Sequence, residues 1–247
     1  MRSTLMLAGI ATTATLLAAM PTTAAVTAPG AAALAAGSLS AGWEMNEPRG
    51  ATVMTDSSGN GLNGQIVASP EITTGYTYNG AVGYHWLRRD PGTPPAIPAR
   101  VIQVPDNIKL EPGSSTGPFT IELRYRTKEN FGNITQKGQA TTAGGQWKIQ
   151  NPQGRPSCLF KGSLRRVATR IPTAINDNQW HVLSCVWTPT RVTALVDGRE
   201  VSRQNGSTGP IDNKYPVTIG GKINCDQVQV TCDYFSGDID YLRIYRS

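Results

Sequence analysis

The stretch Phe235-Ser-Gly-Asp-Ile-Asp-Tyr-Leu-Arg-Ile-Tyr-Arg246 decides how this chain is read. Ile239, Tyr241, Leu242, Ile244 and Tyr245 make a β-rich run, with Gly237 marking its start. A strand of this kind beside a C-terminus is tied into a sheet that an earlier part of the chain completes. Asp238 and Asp240 stand at i and i+2, so they share a face of a regular strand. Just upstream, Cys225 and Cys232 bracket a short segment suited to a stapled loop.

Moving outward from that strand, no long stretch carries helical periodicity. Short runs of β-branched and aromatic residues recur instead, separated by Gly, Pro, Asn and Asp, the pattern of a sandwich or barrel. Phe119, Ile121, Leu123 and Tyr125 alternate with polar residues and predict a half-buried strand over 119–126. Gln146–Gln150, Ser157–Phe160 and Trp180–Trp187 read as further strands. Val196-Asp-Gly-Arg199 is a two-residue hairpin signal, because Asp-Gly tolerates the left-handed backbone such a turn needs.

The beginning of the chain reads differently. Arg2 and the apolar run Leu5 to Met20, followed by Thr23-Ala-Ala25, predict a signal peptide over residues 1–25. The run breaks at Pro21, short of a membrane span, so no membrane insertion is expected. Residues 26–42 are Ala, Gly, Pro, Ser and Thr with little else, a linker too poor in apolar surface to fold. One domain is expected over 43–247, in a secreted, extracellular protein. The net charge of +6 is too small an excess to imply a nucleic-acid partner. An even cysteine count in an exported chain predicts two disulfides, read here as Cys158 with Cys185 and Cys225 with Cys232.

Several motifs recur in a fixed order: Trp43-x-Met-Asn-Glu47, Asp56-Ser-Ser-Gly-Asn-Gly with Asn63-Gly64, Phe119-Thr-Ile-Glu, and Asp177-x-x-Trp180-His181. Val196-Asp-Gly198, Ile219-Gly-Gly221 and the closing strand complete the set. Together they resemble the laminin G-like jelly rolls of the concanavalin A-like lectin/glucanase superfamily, in a secreted bacterial branch. The resemblance implies an all-β sandwich of two antiparallel sheets, binding loops along one rim, often a calcium ion, and recognition of glycan or protein. Fold alone does not set function in such a superfamily.

The expected function is therefore a non-catalytic binding module for extracellular polysaccharide or a cell-surface glycan or protein. The rival readings are a glycan-degrading enzyme of the same fold and a calcium-dependent adhesion module. Glucanases of the superfamily carry Glu-x-Asp-x-x-Glu on one strand, whereas here Asp238-x-Asp240-x-x-Arg243 puts arginine where the acid belongs. For calcium, which takes six to eight oxygens, Asp56 and Asp240 are the candidate ligands and Asn60 the next. The alternative is an Asx-turn cluster that caps the loop without metal. Tyr84 and Trp86 are the candidate sugar-stacking pair, against the simpler reading that they hold a long loop from beneath. Arg165 and Arg166, in a basic run from Lys161 to Arg170, are candidate contacts to an anionic polysaccharide, against a solvated sheet edge. Trp43, Trp180 and Trp187 are assigned to the core.

Overall fold

The structure, a computed structural model, describes residues 37–66, 71–88, 100–223 and 233–247. In chain order the strands are β1 Ser38–Trp43, β2 Val53–Met54, β3 Gly64–Gln65, β4 Ile72–Tyr78, β5 Ala81–Trp86, β6 Ile102–Val104, β7 Phe119–Arg126 and β8 Asn133–Lys137. There follow β9 Gln146–Gln150, β10 Ser157–Lys161, β11 Arg166–Arg170, β12 His181–Thr188, β13 Arg191–Val196, β14 Arg199–Asn205, β15 Val217–Ile219 and β16 Gly237–Arg246. Two eight-stranded antiparallel sheets form a jelly-roll sandwich. The first runs β14-β13-β12-β7-β16-β5-β4, with β1 also on β16; the second runs β11-β10-β9-β8-β15-β6-β3-β2.

The closing strand is the hinge of the first sheet. One edge of β16 pairs with β7 along nearly its whole length. The other edge is divided: Gly237–Ile239 pair with β5, and Leu242–Arg246 pair with β1. Strand β1 thus takes in Ser38–Gly42, residues that composition assigns to the 26–42 linker. Those residues are held by backbone hydrogen bonds to a free strand edge, which Ala, Gly and Ser satisfy as well as any residue. The 1–25 leader and the Cys225–Cys232 pairing lie outside the described residues.

Alternation decides what each strand buries. Phe119, Ile121, Leu123 and Tyr125 of β7 point into the core, as predicted. Phe119 meets Trp147 and Phe160 of the second sheet at ring separations of 6.4 Å. Trp86 packs edge-on against Phe235 at 5.8 Å. The predicted disulfide joins Cys158 in β10 to Cys185 in β12 with the Cα atoms 5.6 Å apart, so it ties one sheet to the other. The β13–β14 turn holds Asp197 and Gly198 at φ of 50° and 77°, the left-handed geometry that the Asp-Gly signal implies. Among the described residues no helix is long and apolar enough to cross a membrane.

Candidate functional site

The outward face of the second sheet is laid out in rows by strand register. Trp147 and Ile149 of β9 and Cys158 and Phe160 of β10 point inward, which sends Gln146, Lys148, Gln150, Leu159 and Lys161 outward. Across the strands Arg166, Lys161 and Gln146 form one row, and Ala168, Leu159, Lys148 and Gln136 the next. All of these outward side chains but Ala168, with Phe131 and the Lys222/Asp233 pair, line an open cleft of about 560 Å³. Its floor is apolar at Leu159, its walls are amides and cations, and Phe131 is an exposed ring at the margin.

Electrostatically the cleft is lopsided. Among the described residues four cations line it, Lys148, Lys161, Lys222 and Arg166, against one carboxylate, Asp233. That carboxylate accepts from Lys222 at 2.8 Å and Lys148 at 3.3 Å. Lys161 donates to the Ala140 carbonyl at 2.6 Å. Beneath the end of the same sheet, Lys137 is fully buried and donates to Asp106, Glu111 and the Asn213 carbonyl, fastening β8 to the neighbouring loops.

The outward face of the first sheet has the opposite character. Asp238 is nearly buried between His85 of β5 and Arg126 of β7. Tyr76 stacks on His85, and the Arg126 guanidinium lies 3.2 Å from the centre of the Tyr78 ring. Arg124 pairs with Asp240 and lies over Trp180; Arg243 grips Glu44 through two hydrogen bonds of 3.0 and 2.7 Å. Glu122 accepts from Ser184 and Tyr241. Asp238 and Asp240 do share a face, but each is engaged by an arginine. A smaller hollow of about 370 Å³ opens beside Asp238 and His85.

The family model Laminin_G_3, described as the concanavalin A-like lectin/glucanases superfamily, matches residues 100–247. The chain belongs to that family. Solved structures similar to this laminin G-like chain include the binding domain of Paraclostridial mosquitocidal protein 1, at 17% identity and TM-score 0.58 over 86% of this chain and 49% of that one. Domain 4 of AbnA, a GH43 extracellular arabinanase from Geobacillus stearothermophilus solved with arabinotriose, matches at 19% identity and TM-score 0.56, over 85% of this chain and 92% of that one. The botulinum neurotoxin serotype G binding domain matches at 13% identity and TM-score 0.56, over 84% and 46%. The chain thus spans about half of each toxin domain and nearly all of the arabinanase domain. At these identities the likeness is one of fold. No curated protein matches the chain.

Within this laminin G-like frame the sequence-predicted residues separate. Tyr84 and Trp86 are not a rim: both are fully buried, with the Tyr84 hydroxyl on Glu47 and the Trp86 indole on the Arg100 carbonyl at 3.0 Å. On β5 it is the intervening His85 that faces out, so the aromatic pair packs the core and has no surface to offer a sugar. Trp180, assigned to the core, is half exposed instead and lies under Arg124. Arg165 and Arg166 are exposed on the second sheet's edge, and Arg166 lines the cleft.

The residues expected to hold calcium do not fit the ion. Both Asp56 oxygens are taken: Oδ1 accepts from the Gly42 and Ser58 amides at 2.9 and 3.0 Å, and Oδ2 from the Ser58 hydroxyl and Leu62 amide at 2.8 and 2.9 Å. Burial pushes the Asp56 carboxyl upward, yet these donors outweigh it and hold its pKa below the ordinary value. The Asn60 amide oxygen accepts the Lys109 ammonium, and Asp240 is spent on Arg124. Among the described residues no group of three or more His, Cys, Asp or Glu side chains could hold a metal. The Asp56 loop carries the hydrogen bonds of an Asx-turn cluster. The cleft residues Gln136, Lys148 and Gln150 were missed as site candidates, although the alternation in Gln146-Trp-Lys-Ile-Gln150 carries their outward parity.

Proposed function

We propose that this chain is a secreted, non-catalytic module that holds an extracellular carbohydrate in the cleft on the outer face of the second sheet. The observation that carries the reading is the cleft itself: about 560 Å³, an apolar floor at Leu159, and amide and ammonium groups presented from adjacent, regularly paired strands. Sugars offer an apolar ring face and a fringe of hydroxyls, and a concave site with a few fixed polar groups matches both. Side chains on strands are held more exactly in place than side chains on loops, which favours recognition over adaptation. The arabinanase domain that shares the fold was solved with a trisaccharide, which supports a sugar as the ligand class.

A binding role without hydrolysis is supported by the state of the carboxylates. Glycoside hydrolysis needs an acid and a base or nucleophile about 5–9.5 Å apart and free to act. The Glu-x-Asp-x-x-Glu arrangement is missing, and Asp238 and Asp240 are each committed to an arginine. The test is titration calorimetry against a polysaccharide panel, repeated with Lys148→Ala/Gln150→Ala. The double variant is expected to lower affinity at least about tenfold, a loss of about 1.4 kcal/mol. Undiminished binding by that variant, or release of reducing ends by the wild type, overturns the reading.

A further inference from the structure

We infer that the ligand of this cleft is an acidic polymer long enough to cross the edge strand β11. This deepens the cleft reading and rests on it. Lys161 and Arg166 stand directly opposite each other in the β10–β11 register, both on the outward face. Like charges directly opposite across a strand pair repel. Here no carboxylate among the described residues pairs with Arg166, and the cleft's Asp233 is shared by Lys148 and Lys222 instead. An anionic group seated between Lys161 and Arg166 removes that repulsion, and the forked guanidinium suits a carboxylate or sulfate.

Length follows from a second hollow. About 320 Å³ in volume, it lies beyond the edge strand and is lined by Arg165, Arg166, Gln204 and Asn205, the last two from β14 of the other sheet. Arg166 belongs to both hollows, so one side chain joins the cleft to the space past the sheet edge. From β8 to β11 the cleft spans three strand spacings, about 14 Å. A chain that fills it and continues over Arg166 meets Arg165 next. The track is positive at the edge, which a compact sugar bound over Leu159 does not reach.

The experiment measures affinity for oligogalacturonides of increasing length, for sulfated dextran, for neutral arabinan and β-glucan, and for duplex DNA, each at low and high salt. Wild type is expected to bind the acidic chains, to tighten with length beyond the shortest fragments, and to lose affinity as salt rises, since exposed charges are screened over about 8 Å at physiological ionic strength. Arg165→Gln, at an exposed position past the sheet edge, is expected to weaken the long acidic chains and the shortest ones hardly at all, whereas Arg165→Gln/Arg166→Gln is expected to weaken both, the long ones about tenfold, with no fall in the melting temperature. Preference for oligogalacturonide or for sulfated dextran tells carboxylate from sulfate, and either supports an acidic chain. Neutral glycans bound as tightly as acidic ones, with no effect of the double-arginine variant, overturn the inference and leave the cleft reading standing. An affinity that stops rising at the disaccharide overturns the edge crossing. Tighter binding to duplex DNA than to any acidic glycan overturns the polysaccharide. Failure to bind any glycan overturns both proposals.

Discussion

The two outer faces of the sandwich are built by the same strand alternation and end in opposite states. On the first sheet the arginines around β16 each have a countercharge and a ring: Arg126 has Asp238 and Tyr78, Arg124 has Asp240 and Trp180, Arg243 has Glu44 and Tyr241. On the second sheet, among the described residues, four cations line a cleft with one carboxylate, and that carboxylate pairs with Lys148 and Lys222 and not with Lys161 or Arg166. A face whose charges are matched at home has little left for a ligand; a face with Lys161 opposite Arg166 and outward amides has more. The contrast, more than the fold, argues where recognition takes place.

Removing Asp238 tests the closed face most severely. Asp238→Ala leaves Arg126 buried without its carboxylate, and breaking such a pair costs about 3–5 kcal/mol. Urea denaturation is expected to show that loss with glycan binding intact in the protein that remains folded; a change below about 1 kcal/mol would mean the cluster is as open as the cleft. Trp86→Ala belongs to the same scale, at about 3–5 kcal/mol of stability, because it empties a core site rather than a rim.

Next in size is the bridge between the sheets. Replacing Cys158 and Cys185 together by Ser is expected to cost about 3.6 kcal/mol in the chain-entropy model for their separation of 27 residues. Denaturant midpoints of the oxidised wild type and the double variant check it. Since the bond joins β10, behind the cleft, to β12, behind the closed face, its loss is expected to weaken both faces alike.

The half-exposed Arg124–Asp240 pair is worth far less than the buried one on the same face. A double-mutant cycle with Arg124→Ala and Asp240→Ala is expected to give about 0.2–1 kcal/mol. A coupling as large as that of the Asp238 cluster would erase the distinction between exposed and buried pairs on that sheet.

Asp56 gives a pH signature instead of a magnitude. Its folded pKa lies below the unfolded one, so its stabilisation is fully present above the ordinary carboxylate range and is lost as pH falls through the folded value. Acid titration of the melting temperature is expected to show a descent that Asp56→Asn reduces. The smallest effect expected is that of calcium: with Asp56 and Asn60 filled by N–H donors, millimolar calcium should leave the melting temperature of metal-free protein unchanged. A rise abolished by Asp56→Ala would restore the metal site.

Much of the fold was legible because its signals are local. Phe119 to Tyr125 alternate so plainly that inward and outward sides follow from side-chain chemistry alone, and Asp197-Gly198 can serve a tight turn because of its backbone tolerance. Tyr84-His-Trp86 offers no such contrast: parity says that His85 faces away from the two aromatic rings, but not which side is the core. The strand at Ser38–Trp43 was invisible to composition because its partner, the free half of the β16 edge, lies some two hundred residues away. The same holds for the candidate site. Strand periodicity in residues 146–150 determined that Gln146, Lys148 and Gln150 point together, and the basic run was visible as a run. Only the tertiary structure decided that Lys161 faces Arg166 across a strand pair, that Asp240 is consumed by Arg124, and that Asp56 is saturated by amides from Gly42 and Leu62. A side chain's chemistry is written in its own position, but whether that chemistry is spent or available depends on partners that the fold brings from elsewhere in the chain.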